Sequence, residues 1–292
     1  MSNPARQRTV SSRLEFSGVG LHSGEECRIN LCPAPQGEGV VFQRADLPAA
    51  DAIITAKPDS VVRARHGTCL SNSAGASVAT VEHLLAALAL TGVDNALIEV
   101  EGPEIPIMDG SAAAFVAAIA DAGVTQQAAL REPFVIDAPF DIVDGDRSIR
   151  FEPFDGQRIE IEIDFGDCMI GHQILSLDLG NPEDLVKLSA ARTFIRLSEV
   201  EALREAGLAR GGALSNAIVV DGDQVLNDEP LRDPAEFALH KALDLVGDLY
   251  LAGAPVVGRI RAVKPGHELN TRAAAALMAR AGADLGSVRA SA

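Results

Sequence analysis

Six histidines are spread along the 292-residue chain, at positions 22, 66, 83, 172, 240 and 267, and three stand beside acids in patterned segments. His240, Asp244 and Asp248 fall at i, i+4 and i+8, so on a helix they share one face. Apolar residues flank that face on the wheel, so it is expected to be partly buried. A buried His-Asp-Asp stripe is costly unless a cation or hydrogen-bond partners compensate it. A His and an Asp one turn apart can chelate one ion, much as the two His of an HExxH helix do. Taken alone, the same spacing is an ordinary intrahelical ion pair.

Glu82-His83 precedes a second apolar run. Neighbouring helical residues diverge by roughly 100°, so one can ligate a metal while the other reaches the water bound to it. The plain alternative is that Glu82 complements the helix dipole. His83, His240 and Asp244 would form a two-His, one-carboxylate set with a fourth position open, the arrangement of catalytic zinc. Such a set accepts zinc or iron. Lys264-Pro-Gly-His267 then opens a basic C-terminal segment, with six Lys/Arg against two acids from Arg259 onward. A cationic His267 would stabilise an oxyanion or protonate a leaving amine, and Asp248 beside it would hold it charged. The alternative is a solvated loop histidine.

The elements that must position these groups are legible as patterns. Thr80 reads as the N-cap and Gly92 as the stop of a helix carrying Glu82 and His83. Asp233-Pro-Ala-Glu236 combines an N-cap Asp, Pro at N1 and Glu at N3, predicting a helix from there towards Gly253. Residues 111–122 read as a third helix, and 182–210 as one or two more. Segments 96–101, 158–165, 217–220 and 256–260 are β-branched strands, and 158–164 alternates apolar and charged residues as a sheet with one wet face does. Strands grouped apart from helices indicate α+β architecture. The stretch 123–133 is the expected boundary between two domains, 1–125 and 131–292. No repeat is visible in the sequence, although both halves mix strands and helices similarly.

Composition narrows the function. Lys plus Arg is 25 and Asp plus Glu 41, a net charge of −16, which repels nucleic-acid backbones and anionic lipid surfaces. With no Trp and one Tyr, an aromatic base-stacking surface is not expected either. The longest plain apolar run, 112–120, is far short of the ~18 residues of a membrane span. The N-terminus lacks the apolar core of a signal peptide, and the four cysteines form no CxxC pair. Reduced thiols in a cytoplasmic protein are therefore expected.

Seven segments together resemble a known family. These are Gly18-Val-Gly-Leu-His-Ser-Gly24, Thr80-Val-Glu-His-Leu-Leu-Ala-Ala-Leu88, Pro103-Glu-Ile-Pro-Ile-Met-Asp-Gly-Ser-Ala112, Ala191-Arg-Thr-Phe194, His240-Lys-Ala-Leu-Asp244, Gly247-Asp-Leu-Tyr250 and Lys264-Pro-Gly-His267. In order and spacing, over about residues 6–275, they are similar to the UDP-3-O-acyl-N-acetylglucosamine deacetylases, zinc amidohydrolases of lipid A biosynthesis. The resemblance implies two similar α+β domains, each a sheet packed with helices, with the active site between them. It implies one Zn2+ per chain, or Fe2+ in the cell, on His83, His240 and Asp244, with Glu82 as general base. His267 would be the cationic group or general acid, supported by Asp248. Thr193 would help hold the substrate carbonyl, and Lys241 and Lys264 would lie near the sugar and diphosphate. Phe194, Gly212, Phe165 and Leu21 would contact substrate, and residues 195–220 would form an acyl-chain passage. The family pattern is broken just after Phe165, at Gly166-Asp-Cys-Met169. The implied partner is UDP-3-O-acyl-GlcNAc, bound by a monomer with no nucleic acid, no stable membrane insertion and at most transient membrane contact. A different metal-dependent reaction, such as dehydration, is the alternative, but sites of that kind tend to be richer in His and to hold two metals.

Overall fold

The alternating segment around residue 160 forms the strand Gln157–Asp164, whose Ile159, Ile161 and Ile163 are buried while its charged residues face outward. In the computed structural model, which describes residues 5–290 and side chains through Arg280, this strand belongs to the larger of two main sheets. Its path runs Phe140–Asp144, Arg147–Glu152, Val256–Val263, Gln157–Asp164, His172–Asp178, with Phe134–Val135 added alongside Val256–Val263. The other main sheet runs Leu14–Val19, Glu26–Pro33, Ala96–Glu101, Val40–Arg44, Ile53–Thr55.

The two sheets share one topology. In each, the strand last in sequence inserts between the second and third, antiparallel to the former and parallel to the latter. In each, that strand is preceded by one helix and followed by another. In the first half these are α1 (Glu82–Thr91) and α2 (Ala113–Ala122). The second half first adds α3 (Pro182–Ala190) and α4 (Leu197–Glu205), then places α5 (Glu236–Leu249) and α6 (His267–Ala290) around its last strand. Each half also inserts a small three-stranded sheet before its central helix. One is made of Val61–Arg63, Cys69–Ser71 and Ser77–Val78, the other of Phe194–Arg196, Ile218–Asp221 and Gln224–Val225. The architecture is α+β with two topologically matched halves.

The central helices α1 and α5 pack against each other, and a continuous apolar cluster joins Ile29 and Ile98 to Leu84, Leu88, Leu243, Ile159 and Ile161. Gly247 explains how closely they approach: a methyl group there would overlap the backbone carbonyl of Glu82. Glycine inside a helix costs about 0.5–1 kcal/mol relative to Ala, and here it lets α5 touch the first turn of α1. Gly247→Ala should force the helices apart, lower the unfolding midpoint by an amount equivalent to about 1–3 kcal/mol, and weaken any metal bound by residues from both helices. Thermal unfolding and bound-metal content check this.

Two local expectations are corrected. Thr80 does not cap α1: Val81 occupies the N-cap without a side-chain bond, and the Thr80 hydroxyl donates to Glu104 at 2.6 Å instead. Helix α5 begins at Glu236 rather than behind an Asp233 cap, because Asp233 and Pro234 form a turn in which the Asp233 carboxylate accepts from the Ala235 N–H. The stretch expected to separate the halves contains a strand, Val124–Leu130, paired antiparallel with Arg6–Val10. Residues 182–210 hold two helices, α3 and α4.

Candidate active site

The first turn of α1 and the middle of α5 bring His83, His240 and Asp244 together, all buried, with one ligand atom of each within 4.8 Å of the others. Asp244 Oδ1 lies 3.6 Å from His83 Nε2 and 3.3 Å from His240 Nε2, and has no hydrogen-bond partner among the described residues. Its other oxygen accepts from Lys241 Nζ at 2.8 Å. His240 Nδ1 donates to the Ala191 carbonyl at 3.1 Å, which leaves the Nε2 lone pair directed at the same point. Burial suppresses protonation of His240, pulling its pKa down to about 3 even with Asp244 beside it. Burial would raise Asp244, but His240, Lys241, His267 and His83 together hold it well below the usual carboxylate range. A neutral imidazole with a fixed tautomer and an ionised, half-satisfied carboxylate are what a divalent metal requires. The residues present fit a divalent metal, and the Asp244 oxygen left without a partner among the described residues is the observation that says so.

Residues 191–194 organise one side of this cluster. The Ala191 carbonyl orients His240. Arg192, itself buried, pairs with the buried Glu236 carboxylate at 2.8 Å and so ties the segment to the start of α5. The Thr193 N–H donates to the Gly110 carbonyl at 2.8 Å, so its position is set by the first half. Phe194 stacks edge-on against Phe237 and Phe165 and lies under Lys241 Nζ, 5.5 Å from its ring centre.

Glu82 and His267 flank this cluster. Glu82 is fully buried and accepts from the Thr68 N–H at 3.0 Å; burial is the main cause that raises its pKa above the ordinary carboxylate value. His267 opens α6 rather than sitting in a solvated loop. Its Nδ1 donates to Asp248 Oδ2 at 2.9 Å, and its Nε2 lies 3.9 Å from Asp244. Burial alone would lower its pKa, but the carboxylates of Asp248, Asp244 and Glu82 overcome this and lift it to about 9. Asp248 also accepts from the Thr68 hydroxyl and the Asn270 amide, so its charge is fully used.

Glu82, His83, Thr193, Phe194, His240, Lys241, Asp244 and His267 all line one cleft of about 1040 Å³, as do Leu21 and Gly212. One arm is apolar, formed by Ile195, Leu197, Val200, Leu203, Leu214 and Leu226 from the 195–220 segment and its neighbour. Leu197, Leu214 and Leu226 remain exposed there. Lys264 and Phe165 are not brought into this lining. Lys264 Nζ pairs with Asp146 at 2.8 Å, and Phe165 packs behind Phe194 at 5.5 Å between ring centres.

Reasoning from sequence missed Thr68, Asn270, the Ala191 carbonyl and Glu104. Thr68 and Asn270 act only through Asp248, and no spacing signals them. Glu104 is buried and accepts from the backbone N–H of His22 and Ser23 and from Thr80. It thereby fixes the 18–24 loop and holds Thr80 at φ 58°, an uncommon conformation for a β-branched residue, just ahead of α1. Its place within the 103–112 motif was the available signal.

Comparison with known proteins agrees with this geometry. Residues 7–279 match the family described as LpxC: UDP-3-O-acyl N-acetylglycosamine deacetylase. The chain is 47% identical over 274 residues to the UDP-3-O-acyl-N-acetylglucosamine deacetylase of Phenylobacterium zucineum, covering 94% of both chains. It is 47% identical over 264 residues to the protein of that name from Anaeromyxobacter sp., covering 90% of this chain and 86% of the other. With that of Acidithiobacillus ferrooxidans it shares 46% over 277 residues, 94% of this chain and 90% of the other. Motifs, matched halves and near full-length identity lead to one conclusion: the chain belongs to the LpxC family of UDP-3-O-acyl N-acetylglycosamine deacetylases.

Proposed function

We propose that the chain hydrolyses the N-acetyl group of UDP-3-O-acyl-N-acetylglucosamine, using one zinc ion, to give the free amine and acetate in the committed step of lipid A biosynthesis. The observation that carries the metal reading is the buried Asp244 oxygen facing two imidazole nitrogens with no partner among the described residues. His83, His240 and Asp244 are assigned as the ligands. Zinc held there would act as a Lewis acid on the acetyl carbonyl and lower the pKa of an attacking water to near ~7.

The chain's own residues supply the rest. Glu82 takes the proton of the attacking water, a role that its burial-raised pKa suits. Thr193 and cationic His267 donate to the oxyanion that develops as the carbonyl carbon becomes tetrahedral. His267 then gives a proton to the nitrogen as the C–N bond breaks, so the amine leaves neutral. Lys241 neutralises Asp244 and, from its place in the cleft wall, faces the sugar. Phe194, Leu21 and Gly212 are substrate contacts, and the apolar arm takes the acyl chain. Lys264 and Phe165 are assigned to the nucleotide end, outside the main lining. Residues 1–125 and 131–292 are the two domains. We place the enzyme in the cytoplasm as a monomer. Among the described residues, no helix is long and apolar enough to cross a membrane.

The pH profile tests the His267–Asp248 pair. His267 must be protonated to donate, so kcat/KM should fall as pH rises through its elevated pKa. Asp248→Asn removes a carboxylate that raises this pKa and should move the alkaline limb down by about 1–3 units. An unmoved limb would mean that His267 is not the group titrating.

Acetate release from UDP-3-O-acyl-N-acetylglucosamine tests the activity itself. Turnover by the purified chain supports the proposal, and its absence under every metal condition overturns it.

A further inference from the structure

Residues 189–193, which lead to Thr193, are held at every position, and the contacts come from both halves. From the second half, His240 bonds the Ala191 carbonyl and Glu236 holds Arg192. From the first half comes one tight turn, residues 107–110, closed by the Gly110 N–H donating to the Ile107 carbonyl at 3.0 Å. The Gly110 carbonyl accepts from the Thr193 N–H at 2.8 Å, and the Ala112 N–H donates to the Ser189 carbonyl at 3.0 Å. The contact has no slack, because a methyl group on Gly110 would overlap the backbone carbonyl of Asn216.

The turn itself is not a relaxed one. Met108 stands at φ 55° and Gly110 at φ 86°. Residues with a side chain seldom populate the left-handed region, and they stay there where the surroundings hold them. Asp109, between the two, supplies that hold. Its Oδ1 accepts from the Ser111 N–H at 3.1 Å and the Ser111 hydroxyl at 2.7 Å, and its Oδ2 accepts from Arg232 Nη1 at 2.8 Å. Burial would raise the Asp109 carboxyl, but Ser111 and Arg232 outweigh it and keep its pKa below the ordinary carboxylate value. The same Arg232 Nη1 donates to the Ala190 carbonyl at 3.0 Å. One guanidinium nitrogen thus clamps the turn of the first half to the segment of the second half that carries Thr193. Arg232 is anchored in its turn, since its backbone N–H donates to Glu236 at 2.7 Å. Neither Asp109 nor Arg232 lines the catalytic cleft.

We propose that Asp109, clamped by Arg232, is a positioning residue that aims the Thr193 hydroxyl at the developing oxyanion. The inference rests on the oxyanion role proposed above for Thr193. A donor to a developing charge is effective when it is aimed in advance, and a misplacement of 1 Å can cost about 10²-fold in rate. Asp109 acts through Thr193, so its effect falls on kcat and should vanish once the hydroxyl is gone.

A double-mutant cycle on the zinc-loaded full chain reads this coupling. Asp109→Ala should lower kcat about ten-fold or more, with KM changed by less than about three-fold and metal content unchanged. Thr193→Val keeps the branched shape and removes the hydroxyl, and should lower kcat by about 10²–10³-fold, the usual cost of one oxyanion donor. Adding Asp109→Ala to Thr193→Val should lower kcat by less than about two-fold more. Arg232→Gln breaks the same clamp from the other side and should repeat the pattern. The two variants keep the test intact if one fails to fold, and melting curves identify such a failure. Unchanged kcat in the folded Asp109 and Arg232 variants would overturn the proposal and leave the role of Thr193 standing. So would losses that multiply in the double variant, the result of a merely structural contact. Undiminished kcat in Thr193→Val would overturn the oxyanion reading itself, and this proposal with it.

Discussion

Replacing Glu82 with Gln should leave the metal bound and lower kcat by about 10²–10⁴-fold, the range a positioned acid–base group supplies. Gln keeps the size of the side chain, and its carbonyl oxygen can still accept from the Thr68 N–H. It cannot take a proton from water. The three assigned ligands are untouched, because Glu82 is not a member of the cluster. KM should change little, since the loss falls on the chemical step rather than on uniform binding. Steady-state kinetics together with metal analysis of the same sample read both halves of this expectation. Near-full activity in E82Q with metal bound would remove Glu82 from the mechanism.

Asp244→Ala should have the larger effect, abolishing metal retention and bringing acetate release to background. Loss of groups that merely orient a ligand costs about 10–100-fold in metal affinity or activity, and Asp244 is placed as a ligand itself. The substitution removes the oxygen that lies between His83 and His240, leaving two imidazoles to hold a divalent ion. It also frees Lys241, whose ammonium then has no carboxylate at 2.8 Å. Lys241→Met separates the two consequences: metal should stay bound in K241M and be lost in D244A. Metal content after dialysis, with circular dichroism to verify folding, makes the measurement. Retention of one zinc by D244A would show that the ligand set is misassigned.

The chemistry of α1 and α5 was legible in the sequence because helical periodicity puts His240, Asp244 and Asp248 on one face. The proximity of that face to Glu82-His83 was not. It depends on the Gly247 contact with the Glu82 carbonyl, which joins residues more than 150 positions apart. The matched topology of the halves was hidden for a related reason. It lies in strand order and direction, and the paired strands share no residue pattern. Thr80 and Asp233 misled because each has the right chemistry for a cap but a different employer. The Thr80 hydroxyl is taken by Glu104, and the Asp233 carboxylate closes its own turn. His267 carried a local signal only as a turn residue. Its charge state comes from carboxylates on α5 and α1, which no linear motif displays.

Stepwise zinc titration of metal-free enzyme, followed by acetate release from UDP-3-O-acyl-N-acetylglucosamine, tests the central claim most directly. Activity should be absent at the start, rise linearly and reach its plateau at one equivalent per chain, and E82Q should bind the same single equivalent with little turnover. Full activity in metal-free enzyme, or a plateau that requires two equivalents, would contradict a single catalytic zinc on His83, His240 and Asp244.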